Sequence, residues 1–183
     1  MKIVSFYTKE TGYENEVQNL IASCERHRLS YDIVGIISKG TWIKNCAYKP
    51  QFLLEMLKKH NSPLVWLDAD AIILKPPDLF TTLDCDLALS SPDHLPFEHP
   101  SKFLTGTLYI QNTHTVKKLL KDWDKECQKG EIWDQIALKN VLLRSTLELK
   151  IVLLPDGYCA IYDKPLKEEP VIIHYQASRL LKK

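Results

Sequence analysis

Leu64-Val65-Trp66-Leu67-Asp68-Ala69-Asp70-Ala71-Ile72-Ile73-Leu74 organises the whole chain around it. The first four residues are continuously apolar, follow the breaker Asn61-Ser62-Pro63 and are too few for a helix, so they read as a short buried strand. Upstream, Lys2 to Tyr7 reads as a first strand. Val17, Leu20, Ile21 and Cys24 recur with the period of a helix packed on a sheet. Tyr31 to Ile37 is a second strand, and Pro50 opens a helix carrying Phe52, Leu53, Met56 and Leu57 to His60. Strand, helix, strand, helix, strand is the order of an α/β sheet built by right-handed crossovers. Downstream the pattern loosens. Ala71 to Leu74, Leu87 to Leu89, Thr105 to Ile110, Leu149 to Leu154 and Val171 to His174 read as strands. Val116 to Trp123 and Ile132 to Leu143 read as helices, and Ser90 to Ser101 as a Pro-rich loop.

The 183 residues fit a single domain, 1–183, with no composition break marking a linker. Lys+Arg 24 against Asp+Glu 23 leaves a net charge of +1, which argues against a nucleic-acid partner. Cys24, Cys46, Cys85, Cys127 and Cys159 are scattered without metal-ligand spacing and read as free structural thiols in a reducing compartment. Neither a signal peptide nor a transmembrane segment is expected, and the cytoplasm is the expected location.

In the central stretch two carboxylates follow a buried strand at one residue's separation. On a continuing strand Asp68 and Asp70 would share a face, and carboxylates so close repel unless a cation lies between them. A hard divalent ion with oxygen ligands answers that repulsion and leaves positions for diphosphate oxygens. Capping or turn formation is the plain alternative. The C-terminal end of an α/β strand, where such sheets bind ligands, favours the chemical role.

Lys49-Pro50-Gln51-Phe52-Leu53-Leu54 followed by Val65-Trp66-Leu67-Asp68-Ala69-Asp70 resembles the core of GT-A-type nucleotide-sugar glycosyltransferases. More narrowly it is similar to the nucleotide-diphospho-sugar transferase group and its relatives in glycosyltransferase family 8. The resemblance extends through Phe103-Leu104-Thr105-Gly106-Thr107-Leu108-Tyr109-Ile110, Trp133-Asp134-Gln135-Ile136-Ala137-Leu138 and His174. It implies a GT-A fold, a Rossmann-like mixed central sheet flanked by helices. It also implies transfer of a sugar from a nucleoside-diphosphate sugar, a UDP-sugar being the commonest choice, to a glycan, lipid or protein acceptor. Retention at the anomeric carbon and a Mn²⁺ or Mg²⁺ cofactor belong to the same expectation.

On this resemblance Asp68, Asp70 and His174 hold the metal, and Asp134 and Gln135 are the catalytic, sugar-side pair. Tyr7, Thr8, Lys49, Asp68, Gly106 and Arg179 contact the donor. Arg179 stands in for a Gly and Lys loop that the family places after the histidine and this chain lacks. Five of them have a plain alternative: Tyr7 and His174 as core residues, Lys49 as a solvated lysine, Gly106 as a bulge and Asp134 as a helix cap. Trp133 reads as core, His94 and His99 as lining a mobile lid, and Lys182 and Lys183 as a tail. A neutral His174 ligand would make donor affinity fall below about pH 6.5. Two rival functions stand beside the transferase: a catalytically inactive nucleotide-binding scaffold of the same fold, and a haloacid-dehalogenase-type phosphohydrolase.

Overall fold

The computed structural model describes residues 1–100, 102–130, 132–166 and 168–181; Lys182 and Lys183 lie outside them. In chain order the strands are β1 (Lys2–Thr8), β2 (Tyr31–Ile36), β3 (Leu64–Leu67), β4 (Ala71–Ile73), β5 (Leu87–Ser90), β6 (Leu104–Ile110), β7 (Ile151–Leu153), β8 (Ala160–Ile161) and β9 (Ile172–His174). The helices are α1 (Tyr13–Arg26), α2 (Trp42–Ala47), α3 (Lys49–His60), α4 (Leu79–Thr82), α5 (His114–Cys127), α6 (Asp134–Arg144) and α7 (Ser178–Leu181). Six strands form the main sheet in the order β2-β1-β3-β6-β5-β7, and β4-β9-β8 form a small second sheet. In the main sheet β6 runs antiparallel to both β3 and β5, while the other pairings are parallel. This is the mixed, mostly parallel α/β sheet expected.

Strand alternation distributes the core onto two faces. On β3, Leu64 and Trp66 point into one cluster with Phe52, Leu57, Leu120 and Trp123 of α3 and α5. Val65 and Leu67 point the other way, toward Leu20 and Cys24 of α1, Ile73 of β4 and Phe80 of α4. Leu108 and Tyr109 of β6 repeat the split beside Trp66 and Val65. Each such fully buried side chain contributes about 2–3 kcal/mol, which fixes the register of β3 and hence the place where it ends.

Three differences from the sequence reading matter for the site. The chain does not continue as a strand through Asp68 and Asp70. It turns, the Ala71 N–H donating to the Asp68 carbonyl at 3.0 Å, so β4 leaves the main sheet for the small one. The Leu149–Leu154 strand shortens to β7, a sheet edge with Ile151 and Leu153 exposed. A short helix, α2, precedes α3, its end capped by the Thr41 hydroxyl, which accepts from the Lys44 N–H.

Candidate active site

β1 and β3 run in parallel and β6 against them, so the C-terminal ends of the first two meet the N-terminal end of the third. That meeting place opens into a cleft of about 900 Å³, lined by Tyr7 and Thr8 from β1, the Asp68–Asp70 turn, Gly106 on β6, Asp134 and Gln135 on α6, and His174 and Arg179. Every residue assigned a site role in the sequence therefore borders one cleft.

Asp68, Asp70 and His174 come together through register. Pairing of Ala71 with His174 across β4 and β9 sets the imidazole beside the Asp68–Asp70 turn. One ligand atom of each lies within 4.8 Å of the others. His174 Nδ1 is 3.5 Å from Asp70 Oδ1, and its Nε2 is 2.8 Å from the Thr107 hydroxyl. Asp70 Oδ2 accepts the Ala177 N–H at 2.8 Å, but its Oδ1 is buried with no hydrogen-bond donor among the described residues. A buried carboxylate oxygen without a donor is costly, and oxygen and imidazole donors suit a divalent ion such as Mn²⁺. The residues fit the metal that the family implies.

Burial works against the Asp70 carboxylate, yet the His174 imidazole and the Ala177 N–H hold it below the usual range. Burial likewise works against a charged His174, but the Cys159 sulfur and Asp70 hold its pKa well above the ordinary 6.5. Cys159, read as a purely structural thiol, lies on the cleft wall against His174.

Lys49 is buried at the head of α3, and its ammonium lies 3.0 Å from Asp68 Oδ1 and 2.6 Å from Asp134 Oδ2. The Thr105 carbonyl, at 3.2 Å, also accepts from it. Burial would depress this amine, but Asp134 and Asp68 outweigh that and raise its pKa. Asp68 Oδ1 also accepts from Trp66 Nε1 at 2.9 Å, and Asp134 Oδ2 from the Thr105 hydroxyl at 2.8 Å. Lys49 is therefore neither solvated nor extended toward solvent. It is a cationic bridge between the Asp68 carboxylate and the Asp134 carboxylate of α6, a link that sequence reasoning missed.

Gly106 has a role the sequence did not show. A Cβ there would sit 3.0 Å from His174 Cε1 and 3.2 Å from Nδ1. The missing side chain makes room for the imidazole, and the Gly106 carbonyl accepts the Asp68 N–H at 2.9 Å. Arg179 pairs with Asp163, and its guanidinium lies 5.8 Å from the Tyr162 ring centre. The loop carrying His94 and His99 is tied down by lysines. Lys102 Nζ donates to the Pro92 and Leu95 carbonyls at 3.1 Å, and Lys139 Nζ to Glu98 at 2.7 Å and His99 at 3.2 Å. Trp133 is not core: it is 38% exposed on the cleft wall, because its extended backbone (φ −66°, ψ 147°) precedes the helix instead of joining it.

A mixed, mostly parallel α/β sheet with a carboxylate–histidine cluster at its ligand-binding edge is the arrangement of the GT-A fold. Residues 22–181 match the nucleotide-diphospho-sugar transferase family, and the chain belongs to it. A glycosyltransferase involved in glycosylation of the major capsid of PBCV-1 shares the fold, with TM-score 0.72 and 14% identity over 96% of this chain and 92% of that one. GlyE of Streptococcus pneumoniae TIGR4 matches with TM-score 0.61 and 19% identity over 95% of this chain but 54% of GlyE. The galactosyltransferase LgtC, solved with donor and acceptor sugar analogs, matches with TM-score 0.60 and 13% identity over 96% of this chain and 87% of LgtC. No curated protein matches the sequence. Family membership sets the phosphohydrolase alternative aside. No helix among the described residues is long and apolar enough to cross a membrane.

Proposed function

We propose that the protein transfers a sugar from a nucleoside-diphosphate sugar, a UDP-sugar first among candidates, to an acceptor, with retention at the anomeric carbon. The observation that carries this reading is the Asp68, Asp70 and His174 cluster, its ligand atoms within 4.8 Å of one another, on the wall of a cleft large enough for the donor. These three residues would hold Mn²⁺ or Mg²⁺, which when bound supplies positive charge against the diphosphate leaving group.

The chain's own groups divide the rest. Tyr7 and Thr8 border the cleft at the end of β1 and take the nucleoside. Lys49 fixes the Asp68 and Asp134 carboxylates relative to each other, so the metal side and the sugar side keep one spacing. Asp134 and Gln135, at the first turn of α6, face the transferred sugar. Arg179 is held by Asp163 and approaches the diphosphate if that pair opens. Five free cysteines accord with action in the reducing cytoplasm.

The test is hydrolysis and transfer from a panel of UDP- and GDP-sugars with and without Mn²⁺, comparing the native protein with Asp70→Asn. Loss of about a hundredfold or more in turnover, with the fold intact, is expected. Equal turnover and equal Mn²⁺ dependence would remove the assignment. Nucleotide binding without turnover by the native protein would leave the inactive scaffold.

A further inference from the structure

A second concavity, of about 510 Å³, lies between the C-terminal half of α3 and the N-terminal half of α5. It shares no lining residue with the active cleft. Lys49 reaches the cleft from the head of α3, and Lys58 of the second cavity stands roughly 14 Å further along the same helix axis. Leu54 and Leu57 give this cavity an apolar floor, and Lys58, His114, Lys117, Lys118 and Lys121 stand around it. Among the described residues no carboxylate lines it. None of its four lysines has an ion pair or a side-chain hydrogen bond among the described residues, whereas Lys59 and Lys125 of the same helices pair with Asp32 and Asp122. Glu55, one turn before Lys58, is turned to Tyr48 and Gln51.

We propose that this cavity binds a small anion carrying several phosphate groups, at a site separate from the cleft. The inference goes beyond the transferase reading and does not depend on it. The local arrangement works against the helix that carries it. Lys117 and Lys121 are four residues apart on α5 and Lys118 and Lys121 three, spacings at which like charges repel. His114 and Lys117 also stand in the first turn, at the positive end of the helix dipole, where cations are unfavourable. A polyanion seated among the ammonium groups turns each of these repulsions into an attraction. Lysine meets phosphate as a point charge on a flexible stem, so several lysines can converge on separate phosphates of one ligand. The concave shape decides between sources of phosphate. A compact free oligophosphate can enter the cavity, whereas the flat surface of a bilayer touches only its rim. The cavity has the size of a small-molecule site.

The test titrates sodium tripolyphosphate calorimetrically into the metal-free native protein at about 0.15 M salt, with sodium sulfate at matched ionic strength as reference. Binding to one site, about tenfold or more tighter than sulfate, is expected, with amide shifts in the NMR spectrum concentrated at 54–61 and 114–121. Lys117→Gln combined with Lys121→Gln should weaken tripolyphosphate about tenfold or more. Lys59→Gln combined with Lys125→Gln removes the same charge from the same helices outside the cavity and should change the affinity less than about twofold. Affinity no greater than that for sulfate would overturn the inference. So would equal loss in the two double variants, which would mean that net charge alone attracts the anion. The amide shifts need no variant, and their confinement to the cleft would place the anion there instead. Sedimentation with phosphatidylglycerol vesicles without uptake of free tripolyphosphate would make this face a membrane contact and overturn the inference as well.

Discussion

At the scale of single residues, the site is built from groups whose neighbours leave them little freedom. Asp68 is tied by Lys49 and Trp66, Asp134 by Lys49 and Thr105, and Asp70 by Ala177. What remains open is the Oδ1 of Asp70, next to His174 and without a donor among the described residues. Gly106 guards that opening. Adding a methyl group there places a carbon 3.0 Å from His174 Cε1, closer than ordinary contact, so the imidazole has to shift. The strand itself needs no positive φ at this position, so the fold survives the change. Gly106→Ala is therefore expected to lower Mn²⁺ affinity about tenfold while leaving the melting temperature nearly unchanged, since misorienting a ligand costs this order of affinity. Calorimetric titration with Mn²⁺ checks it; unchanged affinity would show that His174 does not take part. The residue types were legible in the sequence, but their pairings were not. Lys49 and Asp134 are far apart in the chain, and their 2.6 Å contact depends on how α3 and α6 pack.

At the scale of elements, α5 and α6 are joined by a carboxylate that carries no chemistry. Glu126, buried near the end of α5, lies 2.9 Å from Lys129 and 2.6 Å from Arg144 of α6, and accepts from Asn140 at 3.2 Å. The Lys129 ammonium, followed by Arg144 and Asn140, outweighs burial and holds its pKa below the usual range. A depressed folded-state pKa adds stability that is present above the unfolded value of about 4.3 and is lost as pH falls through the lower folded value. Glu126→Gln is expected to cost about 1–2 kcal/mol at pH 7 and to flatten the loss of stability below pH 4, read by urea unfolding at both pH values. A variant as acid-sensitive as the native protein would mean that other carboxylates set the acid limit. Elements with a long apolar stripe, such as α1, α3 and α5, were legible because burial on one side repeats with the helical period. The six-residue α2, the two-residue β8 and the four-residue α7 carry no such repeat. The turn at Asp68 was hidden because an apolar run continues across it into another sheet.

At the scale of the molecule, the C-terminal segment closes the site through the same carboxylate that would hold the metal. The Tyr175 N–H donates to the Asp70 carbonyl at 3.1 Å and the Ala177 N–H to its Oδ2 at 2.8 Å. Beyond that anchor, Arg179 reaches Asp163, and Leu181 packs over Gly12 at the entrance to α1. Asp70 thus supplies two of this segment's anchors. The consequence separates the two aspartates. Asp70→Ala removes the acceptor for Ala177 and should speed amide exchange from 177 to 181 in the ligand-free protein, by roughly tenfold for a lost charge-assisted hydrogen bond. Asp68→Ala, whose carboxylate bonds to Lys49 and Trp66 and not to this segment, should leave the same amides protected. Hydrogen exchange followed by mass spectrometry on the two variants decides the matter. If both loosen the segment equally, or neither does, Asp70 is not its anchor, and closure of the cleft is independent of the metal cluster.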